Sequence, residues 1–315
     1  MHRRDLLIGA AAAAAVVPVR GPLPAQAAEP LVPPRFHRMS VGALGVTVVR
    51  DGAVKREANQ ALVPNATPEA IRAAFAAAGM PGTTFRNPYN QTVVTGRPGM
   101  VLIDTGFGQG APPGLGQRNL AMRAAGLDPA GVTLVLISHF HGDHVGGLLA
   151  PDGSPAFPNA AIKVPEAEWA FWTDEAAVSR GPEAWRNFAT DARRRLAPYE
   201  ARIERFAPGA EVAPGITALA TPGHTPGHVS FLLSDGDAQC LVIGDAVLTP
   251  ALFVAHPEWT PAFDMDKAQA VATRKALLDR AATERMPVIG YHFDFPATGR
   301  VERAGTGYRL VPEGA

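Results

Sequence analysis

Val132-Thr133-Leu134-Val135-Leu136-Ile137-Ser138 runs directly into His139-Phe140-His141-Gly142-Asp143-His144-Val145-Gly146-Gly147. The first seven residues are mostly apolar and β-branched with no polar alternation, the pattern of a strand buried on both faces. Three histidines and one aspartate then fall within six residues. A strand end delivers its loop to one edge of a sheet, where side chains can converge. Imidazole and carboxylate are the nitrogen and oxygen donors that suit zinc and similar divalent ions. Gly142, Gly146 and Gly147 let the backbone bend tightly around such a site. As core filling, each of the four groups would need a buried partner of its own, so a metal site is the better reading.

Three later segments end in the same way. Thr221-Pro222-Gly223-His224-Thr225-Pro226-Gly227-His228 is a rigid double turn carrying two histidines. Ile243-Gly244-Asp245 closes an apolar strand on a carboxylate, and Gly290-Tyr291-His292-Phe293 puts a histidine at another strand end. Each places an ionisable residue where a strand stops, which brings all of them to one rim.

Strand-like and helix-like segments alternate around these points. Residues 40–50 read as a strand closed by an Asp51-Gly52 hairpin turn. Thr67-Pro68 opens a helix to Ala78, and residues 91–95 and 99–104 read as strands. Residues 117–125 read as a helix. Residues 166 to about 205 read as largely helical with a break at Gly181-Pro182. Strands follow near 216–221, 228–234 and 239–244, then a helix over 266–284 capped by Asp266, and a last strand over 286–291. Strands followed by helices, twice, predict two β-layers with helices outside.

Composition narrows the function. With 47% apolar and 18% charged residues among 315, the chain is not disordered. Its 29 basic and 29 acidic side chains leave no net charge and no footprint for nucleic acid. A single cysteine excludes an internal disulfide and any multi-cysteine zinc cluster, and Cys240 reads as a small buried hydrophobe. At the start, Arg3-Arg4 precedes an apolar run from Leu6 to Val17 and an Ala25-Gln26-Ala27 cleavage pattern. Residues 1–27 therefore read as an export signal similar to the twin-arginine type. Residues 28–315 read as a single domain without a membrane span, periplasmic or secreted.

The order His139-x-His141-x-Asp143-His144, then His224, Asp245 and His292, resembles the metal-binding pattern of the metallo-β-lactamase superfamily. Asp104-Thr105-Gly106 resembles that family's Asp-Thr-Gly segment. The resemblance implies an αββα four-layer sandwich, two mixed sheets flanked by helices, with two divalent ions. These are zinc by default, although manganese, iron or cobalt suit the same ligands. His139, His141 and His224 would hold one ion; Asp143, His144 and His292 the other; Asp245 would bridge them. Asp104 and His228 would stand behind the ligands, and Asp143 with Asp245 would serve catalysis, with a hydroxide shared between the ions as nucleophile.

The zinc β-lactamases similar to this pattern carry Cys or Ser at the Asp245 position, which argues against antibiotic hydrolysis. Acyl-homoserine lactonases place a tyrosine three residues after the bridging aspartate, where this chain has Leu248. The export signal, Leu248 and the Gly305-to-Pro312 tail look closest to the methyl parathion hydrolase-like and lactonase branch. That implies hydrolysis of a small-molecule ester, lactone or organophosphate triester, often by a homodimer. Acyl-homoserine lactonase or arylesterase is the alternative native activity. An alternative of another class is a mononuclear iron sulfur dioxygenase, which would leave Asp143, His144 and His292 partly idle. Phe107, Phe140, Trp169, Phe171, Trp172, Trp185, Phe188, Leu248 and Phe253 are candidates for an apolar pocket, with Phe140, Trp172 and Leu248 foremost.

Overall fold

Two seven-stranded sheets pack face to face in a computed structural model that describes residues 35–312. The segment 1–27 read as an export signal lies outside the described residues. The first sheet runs in chain order: β1 (Phe36–Val41), β2 (Leu44–Glu57), β3 (Thr84–Gly96), β4 (Gly99–Ile103), β5 (Leu134–Leu136), β6 (Ala161–Pro165) and β7 (Ile203–Phe206). It is antiparallel from β1 to β4 and parallel from β4 to β7. The second holds β8 (Glu211–Ala213), β9 (Ile216–Ala220), β10 (Val229–Asp235), β11 (Ala238–Val242), β12 (Pro287–Ile289), β13 (Thr298–Ala304) and β14 (Gly307–Pro312), again in chain order. Only its β11–β12 pair is parallel. The helices are α1 (Pro68–Ala77), α2 (Arg118–Ala124), α3 (Gly142–Val145), α4 (Glu166–Thr173), α5 (Glu175–Ser179), α6 (Glu183–Leu196) and α7 (Lys267–Thr283). This is the four-layer α/β sandwich of the metallo-β-lactamase fold.

The unbroken apolar run of β5 has a direct explanation. Leu134 and Leu136 join the core between the sheets, whereas Val135 and Ile137 join a second core under the outer helices. Successive side chains on a strand face opposite ways, so a strand in an inner layer must be apolar at every position. Each Val, Leu or Ile buried this way contributes about 1.5–3 kcal/mol. Helix starts follow the expected caps: the Thr67 hydroxyl accepts from the Ala70 N–H at 3.2 Å, and the Asp266 carboxylate accepts from Gln269 at 2.9 Å.

Two expectations fail for physical reasons. Asp51-Gly52 is not a hairpin turn. The chain turns at Gly42-Ala43, and β2 runs on through a register shift between Arg50 and Gly52. The shift sends the Asp51 carboxylate inward, where it accepts the N–H groups of Phe107, Gly116 and Arg118 at 3.0, 3.2 and 3.0 Å. Glycine is required at 52 because a Cβ there would meet the Gly114 carbonyl oxygen at 2.2 Å. The helical segment also stops early: the residues from Ile203 pair parallel with β6 as an edge strand, a role that its short Ile-Glu-Arg-Phe sequence does not announce.

Candidate metal centre

Strand β5 ends at Leu136, and the loop behind it carries His139, His141, Asp143 and His144 to the sandwich edge. That loop is held from two sides. The Thr105 N–H and hydroxyl both donate to the His144 carbonyl at 2.7 Å. Gly146 and Gly147 lie against residues 105–107 so closely that a Cβ would meet the Gly106 oxygen at 2.7 Å and the Thr105 oxygen at 2.1 Å. Asp104 adopts a left-handed φ of 59°, a conformation that costs a non-glycine residue roughly 1–3 kcal/mol. It thereby turns its carboxylate under the loop. There it accepts from the Ser138 N–H and hydroxyl, each at 2.8 Å, and contacts His144 Nδ1 at 2.8 Å.

The second sheet supplies the remaining groups singly. His224 follows β9, Asp245 follows β11 and His292 follows β12. His224 Nδ1 lies 3.1 Å from Asp264, and His292 Nδ1 donates to the Pro88 carbonyl at 2.9 Å. Asp264 is itself paired with Arg274 at 2.8 Å, and Arg274 also donates to the carbonyls of Ala246, Pro257 and Trp259. This fully buried pair was not anticipated. Arg274 sits mid-helix and Asp264 in a loop, with nothing in sequence to join them. Glu168 also lacked a sequence signal. Buried beneath the centre, it accepts from the Phe140 and Gly227 N–H groups, the Trp172 indole and the Thr225 hydroxyl.

The seven side chains converge into two groups, His139-His141-His224 and Asp143-His144-Asp245-His292, with the donor atoms of each group within 4.8 Å of one another. Asp245 touches both. Its Oδ2 lies 3.3 Å from His224 Nε2 and 3.2 Å from His292 Nε2, and its Oδ1 lies 3.3 Å from His144 Nε2. Asp143 Oδ2 is 3.5 Å from both His144 and His292. His228 belongs to neither group. Its Nε2 accepts the Asp245 N–H at 3.0 Å, and its Nδ1 pairs with Thr221 Oγ1 at 2.8 Å.

The chemistry of this donor set fits divalent cations. On His144, His224 and His292 the Nδ1 atom is engaged by an oxygen acceptor, which turns the Nε2 lone pair toward the centre. His139 Nε2, His141 Nδ1 and His224 Nε2 stand in contacts of 3.0 Å, nitrogens facing nitrogens. His144 Nε2 and Asp245 Oδ1 are buried with no hydrogen-bond partner among the described residues. The electrostatics agree. Burial holds His139 well below the usual histidine value, and burial with His224 holds His141 at about 3. Burial opposes the charge on Asp143 and Asp245, yet His144 and His292 outweigh it; Asp143 falls to about 2, and Asp245 is held well below the usual carboxylate value. Burial likewise opposes a proton on His144, but Asp245, Asp143 and Asp104 raise its pKa well above the ordinary value. Positive charge is favoured between these carboxylates, and a divalent cation would supply it.

A cavity of about 600 Å³ opens over both groups, lined by His141, Asp143, His224, Asp245, His292 and Leu248 among others. Phe140 and Trp172 are not on its wall, which corrects the sequence reading. His139 and His141 face the centre, so Phe140 between them points the opposite way, into the outer core. Trp172 is fully buried there, donating its indole N–H to Glu168 at 2.6 Å. Of the other candidates, Phe107, Trp185, Phe188 and Phe253 do line the cavity, joined by Phe85, Tyr89 and Phe263, whereas Trp169 and Phe171 do not.

The profile of the metallo-beta-lactamase superfamily matches residues 85–292. An N-acyl homoserine lactonase of Bacillus thuringiensis is 28% identical over 174 residues, 55% of this chain and 60% of that protein. An uncharacterized Bacillus subtilis protein, YobT, is 29% identical over 153 residues, 47% of this chain and 62% of its own length. The match therefore spans about three fifths of the length of these curated relatives. AidC, a dizinc quorum-quenching lactonase solved with a product, superposes with a TM-score of 0.83 at 22% identity, covering 89% of this chain and 98% of its own. Hydrolase AbOPH of the beta lactamase superfamily gives a TM-score of 0.81 at 26% identity, covering 88% and 97%.

Proposed function

Because the chain belongs to the metallo-beta-lactamase superfamily, we propose that it is a dinuclear metal hydrolase that opens lactones or cleaves related esters. One observation carries the reading: seven donors form two groups that share Asp245. We take zinc as the metal, held by His139, His141 and His224 on one side and by Asp143, His144 and His292 on the other. The likeness to the Bacillus lactonase supports the substrate class.

When bound, such cations make a water nucleophilic near pH 7 and polarise the carbonyl under attack. The protein's own residues do the rest. Asp245 holds the two groups together. Asp104, Asp264 and the Pro88 carbonyl fix the imidazoles of His144, His224 and His292. Asp143, part-exposed in the cavity, would accept the released proton on the carboxylate oxygen not turned toward His144 and His292 and return it to the leaving alkoxide. The aromatic wall excludes water and buries the apolar part of the substrate.

A second reading, hydrolysis of aryl phosphotriesters, rests on Leu248. An apolar side chain stands in the wall where a phenol would suit a lactone carbonyl. A parallel assay of γ- and δ-lactones, an acyl-homoserine lactone, an aryl carboxylic ester and an aryl phosphotriester ranks the two. Turnover of lactones above triesters supports the first reading; the reverse order supports the second; iron-dependent thiol oxidation without hydrolysis overturns both. The proposal extends to a homodimer acting on small molecules after twin-arginine export. Replacing Arg3-Arg4 by lysines and fractionating cells tests the export.

A further inference from the structure

The cavity wall formed by β2 and β3 is not uniformly apolar. Phe85, Asn87 and Tyr89 alternate along β3, and all three line the cavity. Across the pair, Arg56 lies opposite Phe85 and Val54 opposite Asn87, so Arg56 shares this face and also lines the cavity. The strip leads outward from the metal centre, since the Tyr89 ring packs edge-on against His292 with centroids 5.1 Å apart.

Among the described residues, no carboxylate forms a salt bridge with Arg56. Its Nε is buried and donates to nothing among the described residues. Its guanidinium lies over the Phe263 ring, 5.5 Å from the centroid, and its charge acts on the Tyr89 phenol, which lines the same cavity. Neighbouring Glu57 is engaged elsewhere, by the Thr83 and Thr84 hydroxyls. The other arginine on the cavity, Arg195, is neutralised by Asp191 at 2.6 Å and donates to the Gly146 carbonyl. A planar guanidinium backed by an amide and a phenol is a fork for a carboxylate.

We propose that Arg56, with Asn87 and Tyr89, forms a subsite for a carboxylate borne by the substrate at a distance from the bond that is cleaved. This rests on the hydrolase reading only in naming the ligand a substrate; the subsite itself is a property of the cavity. Substrates of this class are lactones or esters whose acyl or alcohol part ends in an acid, and Arg56 sets that specificity.

The test is binding, not turnover. Zinc-loaded protein is titrated calorimetrically with glutarate, adipate, pimelate and suberate, each against the monocarboxylate of equal chain length. One carboxylate can occupy the metal centre in either series, so the difference reports the far end. At the matching length the dicarboxylate is expected to bind ~10-fold tighter, the scale of one charge-assisted pair. Arg56→Met removes the preference and Arg56→Lys keeps part of it. Equal or tighter monocarboxylate binding at every length, no binding by either series, or a preference that survives Arg56→Met overturns the proposal. A dicarboxylate preference in a protein that hydrolyses nothing in the panel counts against the hydrolase reading and leaves the subsite standing.

Discussion

The two sheets furnish the centre in different ways. The first contributes four groups from one six-residue loop, braced by Asp104 and Thr105 of the adjoining strand end. The second contributes His224, Asp245 and His292 from three separate strand ends, each oriented by a residue distant in sequence. Local ligands can be positioned by local turns. Scattered ligands need a rigid frame, here the buried Asp264–Arg274 pair and the Pro88 carbonyl. The second set should therefore be the more sensitive to changes in the fold, and the first to changes within its own loop.

Asp245→Ala should give the largest effect because Asp245 serves both sets. Hydrolysis is expected to fall by ~10³-fold or more, the scale of losing a principal charged group, with metal lost from both groups by elemental analysis. His141→Ala should empty mainly its own group.

Arg274→Met leaves the buried Asp264 carboxylate without its arginine, with only His224 beside it, a loss of about 3–5 kcal/mol. For a domain of this size that lowers the melting temperature by roughly 10 °C. A thermal melt within 2 °C of wild type, on the order of 1 kcal/mol, would deny the frame its role.

Asp104→Asn removes the acceptor that orients His144. A loss of roughly 10- to 100-fold in metal affinity is expected, confined to the Asp143-His144-His292 group and with less thermal destabilisation than Arg274→Met. Competition with a chelator measures it.

Metal-free protein should be most stable near pH 6.5. Burial holds His139 well below its ordinary value and His141 and His228 at about 3, so the unfolded chain binds more protons as pH falls below ~6.5. Stability then declines by about 1.4 kcal/mol per pH unit for each fully engaged group. His144 and His224 act in the opposite sense. Burial opposes their protons, yet neighbouring carboxylates raise both, so their contribution is complete below ~6.5 and is lost as pH rises through the folded values. Urea titrations between pH 4 and 9 with chelator present should trace this maximum, and saturating metal should remove its alkaline side.

Phe188→Ala gives the smallest effect. Phe188 is 38% exposed on the cavity rim, so a ~3- to 10-fold rise in KM for apolar substrates is expected, the scale of partial loss of one buried side chain, with the metal content unchanged.

The same contrast explains what could be read in advance. The loop 139–144 was legible because its chemistry is contiguous and follows a strand of unmistakable burial. His224, Asp245 and His292 were legible as strand ends, and the structure gathers them with the loop. Trp172 and Phe140 misled because an aromatic residue near a ligand carries no record of which face it takes; Phe140 faces away through simple alternation. The Asp51-Gly52 turn failed because a pair that favours hairpins also suits a buried bulge, and the three amides that decide the matter come from residues 107–118. Glu168, Asp264 and Arg274 were beyond reach, since all their partners except Trp172, one helical turn from Glu168, lie 10 to 59 residues away in sequence.

Metal stoichiometry tests the shared role of Asp245 most directly. Residues 28–315, purified and equilibrated with zinc, should carry two ions per chain and open an acyl-homoserine lactone. Asp245→Ala, matched for folding by circular dichroism, should lose both properties together. One ion per chain in the wild type, or an Asp245→Ala variant that keeps two ions and full turnover, would contradict the account.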